Sequence, residues 1–324
     1  MHFHLEFHPT PLSVKIKLNN PLFLIGSCFT EQIGQKLASA KFKVIDNPHG
    51  ILFNPISIIH ALESYIEPRL YTSENLFLQN ELYASWDHHT RFSGISPEQT
   101  IKKINDSQQK AHEFLQSASY LLITLGSSFV YELSDGRPVA NCHKVPTDKF
   151  VKRMIPASET IERFEKIIER LQDNFPSLNI IFTISPVRHL RDGFVENNRS
   201  KAQLISAVQK LTEKYDHCYY FPAYELVIDD LRDHRFYAED LVHPNYTATQ
   251  YVWEKFKTAC IDETSLTIMK EIQIIGAAKH HKAIHSASAA HQKFLKTHLQ
   301  KALDLQEKHP YIDLSEEINY FKNG

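Results

Sequence analysis

The sequence predicts a doubly wound α/β protein, with helices on both faces of a mostly parallel sheet. Short apolar segments alternate with helical patterns from residue 20 to about residue 260, which is the rhythm of βαβ units. The first segment, residues 22–25, is apolar throughout, as expected of a strand buried on both faces. A chain of 324 residues, 42% of them hydrophobic, is long enough for one large α/β domain with an appendage.

Five strands and the helices between them follow in order along the chain. The predicted strands cover residues 21–27, 41–46, 119–133, 178–190 and 218–227. The predicted helices cover residues 30–40, 55–66, 97–118, 158–176, 197–214 and 244–260. An Asp-Gly turn at residues 135–136 interrupts the third strand and predicts an inserted β-hairpin. Residues 262–324 are helical in pattern, so we divide the chain into a sheet domain, 1–261, and a C-terminal helical extension, 262–324.

Composition favours a globular cytoplasmic protein. The formal net charge of -2 gives no general attraction to nucleic acid or anionic lipid, so we expect neither as a partner. The first residues lack the basic and apolar regions of a signal peptide, and no apolar run reaches the roughly 18–20 residues of a membrane span. The four cysteines lack CxxC spacing, which favours reduced thiols.

The end of the first strand carries the first candidate for chemistry. Gly26, Ser27 and Cys28 connect an apolar strand directly to a helix, and ligands of parallel sheets bind at such strand ends. A helix N-terminus favours developing negative charge, so Ser27 suits a nucleophile. Serine is also a preferred N-cap, so a purely structural role stays open. Cys28 is a rival nucleophile, since a thiol at a helix N-terminus can be reactive.

The second candidate is a loop just before the last helix of the sheet domain. Asp240 and His243 are separated by two residues, so one turn can hold the carboxylate against one ring nitrogen. The other nitrogen is then available to take a proton from a serine. An ordinary surface histidine before a helix-starting proline is the alternative for either residue alone.

Five short motifs together resemble the GSCFA proteins, relatives of the SGNH (GDSL-like) hydrolases. They are GSCFT at 26–30, TLGSSFVYE at 124–132, NCHK at 141–144, SPVRH at 185–189 and DLVHPN at 240–245. The resemblance covers roughly residues 20–260 and implies a three-layer α/β/α fold with a Ser-His-Asp esterase-type site. Carried over by position, Ser27 would be the nucleophile, His243 the base and Asp240 the acid that orients it.

The sequence departs from the wider superfamily at the oxyanion hole. Those hydrolases usually place a glycine after the second strand and an asparagine after the third. Gly50 fits the first position, but the segment after the third strand has no asparagine. Ser128 or Asn141 would replace that donor, with the backbone N–H groups of Ser27 and Cys28 contributing.

Further polar residues are candidates for binding substrate. His143 and Lys144 would bind a carboxylate or phosphate, Arg188 and His189 lie where a substrate would enter, and His89 would form part of the wall. For each, an ordinary structural or solvated role is the alternative.

Metal and partner sites have weaker support. His281 and His285 are spaced four residues apart, but without a nearby glutamate or third ligand they indicate a solvated helix face, so we expect no metal. The lysine-rich tail is expected to pack on the sheet domain or on another subunit, as in a homo-oligomer.

The leading hypothesis is a serine esterase or acyltransferase that needs no cofactor and acts on small acyl esters, O-acetylated carbohydrate among them. The alternatives are a non-catalytic carbohydrate-binding or scaffold protein with the same fold, and thiol catalysis through Cys28.

Overall fold

The computed structural model describes residues 6–281 and 283–323, and a five-stranded parallel sheet lies at its centre. The first five residues of the predicted sheet domain and residues 282 and 324 of the helical extension therefore lie outside the described residues. In chain order the strands are β1 (Leu22–Gly26), β2 (Val44–Asp46), β3 (Phe77–Gln79), β4 (Leu82–Ala84), β5 (Tyr120–Leu125), β6 (Phe129–Glu132), β7 (Pro138–Val139), β8 (Val151–Met154), β9 (Asn179–Ile184) and β10 (Cys218–Tyr220).

The central sheet has the order β10-β9-β5-β1-β2, and every neighbouring pair is parallel. The chain adds strands first on one side of β1 and then on the other, so the order reverses between β1 and β5. Ligands of doubly wound sheets bind outside the carboxyl ends of the strands at this point of reversal. The strand order thus directs attention to the residues that follow β1 and β5.

Helices cover both faces of the sheet, as predicted. In chain order they are α1 (Cys28–Ser39), α2 (Pro55–Ile66), α3 (Pro97–Leu115), α4 (Ala157–Asn174), α5 (Gly193–Lys214), the short α6 (Ala223–Glu225), α7 (Tyr246–Cys260), α8 (Glu263–Lys279), α9 (Ala289–Lys308) and α10 (Ser315–Asn323). Alternate residues of β1 point to opposite faces. Leu24 joins the core under α1 and α7, whereas Phe23 joins the core under α2 to α5.

The C-terminal helices extend the core on the α1 and α7 face. Ile272 of α8 and Leu305 of α9 belong to the same buried cluster as Leu37 of α1. An ion pair of 2.9 Å between Lys41 and Glu317 joins the end of α1 to α10. The prediction of a helical tail is therefore confirmed, and in this structure the tail packs on the sheet domain.

The third predicted strand differs from the structure, because residues 119–133 form two strands in two sheets. β5 ends at Leu125, and β6 pairs with β7 and β8 in a separate antiparallel sheet. The N–H groups of Gly126 and Ser127 both donate to the carbonyl of Phe53, which turns the chain out of the central sheet. The predicted hairpin is confirmed as β6 and β7.

Two further expectations need correction. The fifth strand ends at Tyr220 rather than continuing to residue 227, because the chain passes through Pro222 into α6. α8 ends at Lys279, so His281 and His285 do not share a helix face. Within the described residues, no helix is long and apolar enough to cross a bilayer.

Candidate active site

Ser27 lies between β1 and α1, at the carboxyl edge of the central sheet. It occupies the N-cap position of α1, but its side chain makes no capping hydrogen bond. The residue is only 1% exposed, and its hydroxyl has no hydrogen-bond partner among residues 6–281 and 283–323. Because buried hydroxyls normally have a partner, the capping alternative explains the position of Ser27 but not its side chain.

The turn that places Ser27 requires glycine at the preceding position. Gly26 has a φ of +140°, and a Cβ there would lie 2.1 Å from the carbonyl oxygen of Thr124 on β5. The Gly26 N–H donates to the side-chain oxygen of Asn47 at 2.8 Å, and the Ser27 N–H donates to the Thr124 carbonyl at 3.1 Å. Contacts from both sides of β1 therefore fix the position of Ser27.

Asp240 and His243 form a hydrogen-bonded pair within one turn. Oδ2 of Asp240 lies 2.6 Å from Nδ1 of His243, and Oδ1 accepts the backbone N–H groups of Val242 and His243 at 2.9 and 3.0 Å. These bonds, that from the His243 backbone first, lower the pKa of Asp240 to about 2. The carboxylate is therefore ionised near neutral pH, and it orients the ring so that Nε2 is free for another partner.

The Asp240–His243 turn lies against the segment that follows β9. The N–H of Arg188 donates to the carbonyl of Val242 at 3.4 Å. His243 is also close enough to His189 for its charge to lower the pKa of His189. The turn and the carboxyl end of β9 are thus neighbours.

His189 connects this region to the end of β5. Its Nε2 lies 3.4 Å from the position that a Cβ on Gly126 would occupy, and the ring packs edge-on against Phe53. Nε2 is buried and has no partner within the part of the chain that the structure describes. Burial, followed by the nearby charge of Lys201, lowers the pKa of His189 to about 4, so its ring is neutral at neutral pH. The segments around Ser27 and His243 therefore approach the same edge of the sheet, although the Ser27 hydroxyl and the His243 ring are not hydrogen-bonded.

Ser128, a predicted oxyanion donor, is engaged elsewhere. Its N–H and its hydroxyl both donate to the hydroxyl oxygen of Ser200, at 2.8 and 3.1 Å, and the residue is fully buried. These bonds hold the turn between β5 and β6 against α5. In this structure Ser128 has a structural role, and its part in an oxyanion hole stays a prediction that would require these bonds to break.

The predicted donor Gly50 lies in a tight loop after β2. Its N–H donates to the carbonyl of Asn47 at 2.7 Å, so that hydrogen would have to leave this turn to bind an oxyanion. Gly50 has a φ of +82°, and a Cβ there would lie 2.2 Å from Cβ of His89. His89 therefore packs directly on the Gly50 loop, and its N–H donates to the carbonyl of His49 at 2.9 Å.

The segment with Asn141, His143 and Lys144 is held by its own turn and by contacts with the region around Ser85. The Asn141 side-chain oxygen accepts the His143 N–H at 2.8 Å. His143 is buried, its Nε2 lies 2.9 Å from the Ser85 carbonyl oxygen, and its ring packs against Trp86. His143 thus packs among aromatic rings, its Nδ1 has no hydrogen-bond partner among the described residues, and its binding of substrate stays a prediction. Lys144 is exposed.

Cys28, the rival nucleophile, begins α1. Its thiol is partly buried, and burial raises its pKa despite the opposing effect of nearby backbone N–H groups. A thiol with a raised pKa is a poor nucleophile near neutral pH, so the environment disfavours thiol catalysis.

α5 contributes buried polar residues that the sequence interpretation missed. Asn197, Ser200 and Lys201 are 3%, 2% and 1% exposed, and they share a helix face with the buried Leu204. The spacing of Lys201 from the apolar Leu204, Val208 and Leu211 places it on the buried face of the helix, and this signal is present in the sequence. The guanidinium of Arg188, a predicted substrate-binding group, lies over the ring of Tyr237, 4.9 Å from its centroid, and its contact with substrate stays a prediction.

The fold and this edge define an α/β protein with a buried serine after β1 and an Asp–His pair before α7. The chain belongs to the GSCFA family, since the model of the GSCFA family matches residues 21–256. A second model, described as the C-terminal domain of GSCFA domain proteins, matches residues 272–324. No curated protein matches the chain significantly.

Solved structures show more distant similarity. One, from Streptococcus pneumonia, has a description that refers to platelet activating factor. It is 14% identical, with a TM-score of 0.39, over 74% of this chain and 83% of that chain. Another is a carbohydrate esterase family 3 from Talaromyces cellulolyticus, 9% identical with a TM-score of 0.34, over 78% of this chain and 99% of that one.

Metal-binding clusters are absent from the described ranges: no group of three or more His, Cys, Asp or Glu side chains there could hold a metal ion.

Proposed function

We propose that this protein is a serine esterase or acyltransferase of the SGNH type that acts on small acyl esters, with O-acetylated carbohydrate as the favoured substrate class. Ser27 is the nucleophile, His243 the general base and Asp240 the group that orients His243. Family membership and the α/β fold support this proposal.

The observation that carries the proposal is the state of the Ser27 hydroxyl. It is buried at a helix N-terminus, it makes no capping hydrogen bond, and it lacks a partner among the described residues. A satisfied structural serine would use that bond, whereas a nucleophile must keep its hydroxyl free for the base and the substrate.

In the proposed reaction, Ser27 attacks the acyl carbonyl while Nε2 of His243 takes the hydroxyl proton. The positive end of α1, including the Cys28 N–H, stabilises the negative oxygen that forms. His243 then gives the proton to the leaving alcohol, and an acyl-serine remains. Water or an acceptor hydroxyl attacks this ester and loses its proton to His243. His243 returns that proton to the Ser27 oxygen as the acyl bond breaks, which releases the acid or the new ester and restores the free serine. In the wild type, Ser27 and His243 must move into hydrogen-bond distance during this cycle.

A fluorophosphonate probe tests the proposal directly. Wild-type protein should be labelled on Ser27, and Ser27→Ala should abolish the labelling. Ser93→Ala is the matched control, because its hydroxyl is also buried without a described partner but belongs to a loop before α3. Labelling that persists in Ser27→Ala, or a wild type that is never labelled, contradicts the proposal. Cys28→Ser should retain labelling, which separates the serine route from the thiol route.

The second candidate is a non-catalytic carbohydrate-binding or scaffold protein. The engaged N–H of Gly50 and the engaged side chain of Ser128 favour it, because they leave the oxyanion with fewer donors. Carbohydrate binding that is unchanged in His243→Ala, with no turnover of any acyl ester by the wild type, would support this candidate instead.

A further inference from the structure

Lys201 is a fully buried lysine of α5 at the carboxyl edge of the central sheet. Its ammonium donates to the carbonyl oxygens of Gly126 and Ser185, both at 2.6 Å. These carbonyls follow β5 and β9, two adjacent strands of the central sheet. One side chain of α5 therefore joins two strand ends at the edge where Ser27 lies.

The residues around Lys201 on α5 hold the other loops of this edge. Asn197 accepts the backbone N–H of His189 at 2.9 Å, and Ser200 binds the turn that contains Ser128. Since these residues are spaced three and four apart, they lie on one helix face. The first turns of α5 thus position the segments that follow β5 and β9.

A buried cation without an anionic partner is costly, so its presence needs an explanation. Within the described part of the chain, Lys201 makes no ion pair with a carboxylate, and its hydrogen-bond partners are the two carbonyls. When Lys201 is protonated, it therefore places at this edge a positive charge that no carboxylate of the described residues neutralises. A reaction that generates a transient anion nearby would make use of this charge.

We propose that Lys201 is a positioning residue of the candidate active site, which orients the ends of β5 and β9 and stabilises the oxyanion through its charge. This inference rests on the proposed serine mechanism. In related hydrolases an asparagine after the third strand of the sheet stabilises the oxyanion. In this protein the charge of Lys201 would provide that stabilisation instead.

The charge and the hydrogen bonds of Lys201 can be separated by pH. Burial lowers the pKa of Lys201 to about 7, and the titratable groups that face it are Cys28 from α1, His189 from the segment after β9, and Tyr224 from α6. A neutral amine keeps two N–H donors, enough for both carbonyls. Loss of the proton should therefore remove the charge while the strand ends stay in place.

The test is the second-order rate of fluorophosphonate labelling between pH 5 and pH 10, with circular dichroism at each pH. The wild-type rate should decline about 10- to 100-fold as Lys201 loses its proton, without loss of structure. Lys201→Met should be slow at every pH and lack this decline. Lys201→Arg keeps a charge that does not titrate, so it should also lack the decline but label faster than Lys201→Met.

Lys15→Met is the matched control, because Lys15 also donates to two backbone carbonyls, those of Thr258 and Ala259. It should keep the wild-type pH profile. A wild-type rate that does not decline above pH 7, a folded Lys201→Met with the wild-type profile, or a Lys15→Met profile that flattens equally would each overturn the inference. If neither Lys201 variant folds, the pH dependence of the wild-type labelling rate alone tests the inference. No labelling at any pH would instead contradict the proposed function itself.

Discussion

Oδ2 of Asp240 lies 2.6 Å from Nδ1 of His243, within a turn that the same carboxylate closes through its other oxygen. One side chain thus fixes both the backbone of the turn and the orientation of the imidazole. The pair is built from residues three apart, so it needs no long-range packing to form. It is therefore the part of the candidate site most directly encoded in local sequence.

Asp240→Asn separates these two roles. Asparagine keeps an oxygen that can accept the backbone N–H groups, but it loses the charge and favours the wrong tautomer of His243. We expect the fold to persist and kcat for an acyl ester to fall about 10²- to 10⁴-fold.

Asp233→Asn is the control for this variant, since Asp233 makes the same kind of turn with the N–H of Arg235 and should leave kcat unchanged. Full activity in Asp240→Asn, measured by steady-state ester hydrolysis, would remove Asp240 from the mechanism.

Much of the fold follows from local pattern. β1 is a continuous apolar run, β5 is apolar except for Thr124, and the helices show a buried stripe, so their existence and order could be predicted. The break between β5 and β6 could not, because it depends on Phe53, a residue more than seventy positions earlier, accepting two N–H groups. Secondary structure that is imposed by a distant loop leaves little signal in the segment itself.

The candidate site divides in the same way. Ser27 and the Asp240–His243 pair were identified as candidates from short motifs, whereas the engaged state of Ser128 and the burial of His143 depend on partners elsewhere in the chain. Lys201 was missed because one lysine in an amphipathic helix is usually read as solvent-exposed. Lys201 lies three residues before the buried Leu204 on the same face of α5, and this spacing distinguishes it from the exposed lysines of the helix.

Buried histidines should make the protein less stable in mild acid. His49 is 2% exposed, its Nδ1 lies 2.6 Å from the Tyr65 hydroxyl, and its ring stacks on His88. Burial lowers the pKa of His49 to about 3. Because the unfolded chain takes up this proton near pH 6.5 and the folded chain does not, stability is unaffected above that pH and falls as pH decreases from 6.5 toward 3.

The expected loss from His49 alone is about 1.4 kcal/mol per pH unit in that window. His49→Gln should lower the free energy of unfolding at pH 7 but reduce its further decrease between pH 6.5 and pH 5, measured by urea unfolding. His234→Gln, at an exposed position, should leave the pH dependence unchanged. An identical pH dependence in wild type and His49→Gln would contradict this assignment.

Gly26 should be irreplaceable. A Cβ at this position would meet the carbonyl oxygen of Thr124 at 2.1 Å, and backbone rather than a flexible side chain would have to move. We expect Gly26→Ala to lose at least about 3 kcal/mol of stability and to abolish probe labelling.

Gly136→Ala measures the cost of a positive φ alone, without the steric clash that a Cβ at position 26 would cause. Gly136 also has a positive φ, of +81°, but nothing lies within 4 Å of its Cβ position. Its substitution should cost only about 1 kcal/mol. If the two variants show equal midpoints in thermal unfolding, the close approach of β1 and β5 is not what restricts position 26.

The C-terminal helices should behave as part of the hydrophobic core. Ile272 on α8 is 3% exposed and belongs to the cluster under α1 and α7, whereas Ile274 on the same helix is 52% exposed. Ile272→Asp places a charge in that core and should cost at least about 3 kcal/mol, while Ile274→Asp should change stability by less than about 0.5 kcal/mol. Chemical unfolding of both variants, with sedimentation to follow association, tests this difference.

If Ile274→Asp were instead the more destabilising substitution and dissociated an oligomer, the exposed face of α8 would be a subunit contact, as the predicted homo-oligomer requires. Comparable small effects from both substitutions would mean that α8 does not pack on the sheet domain in solution.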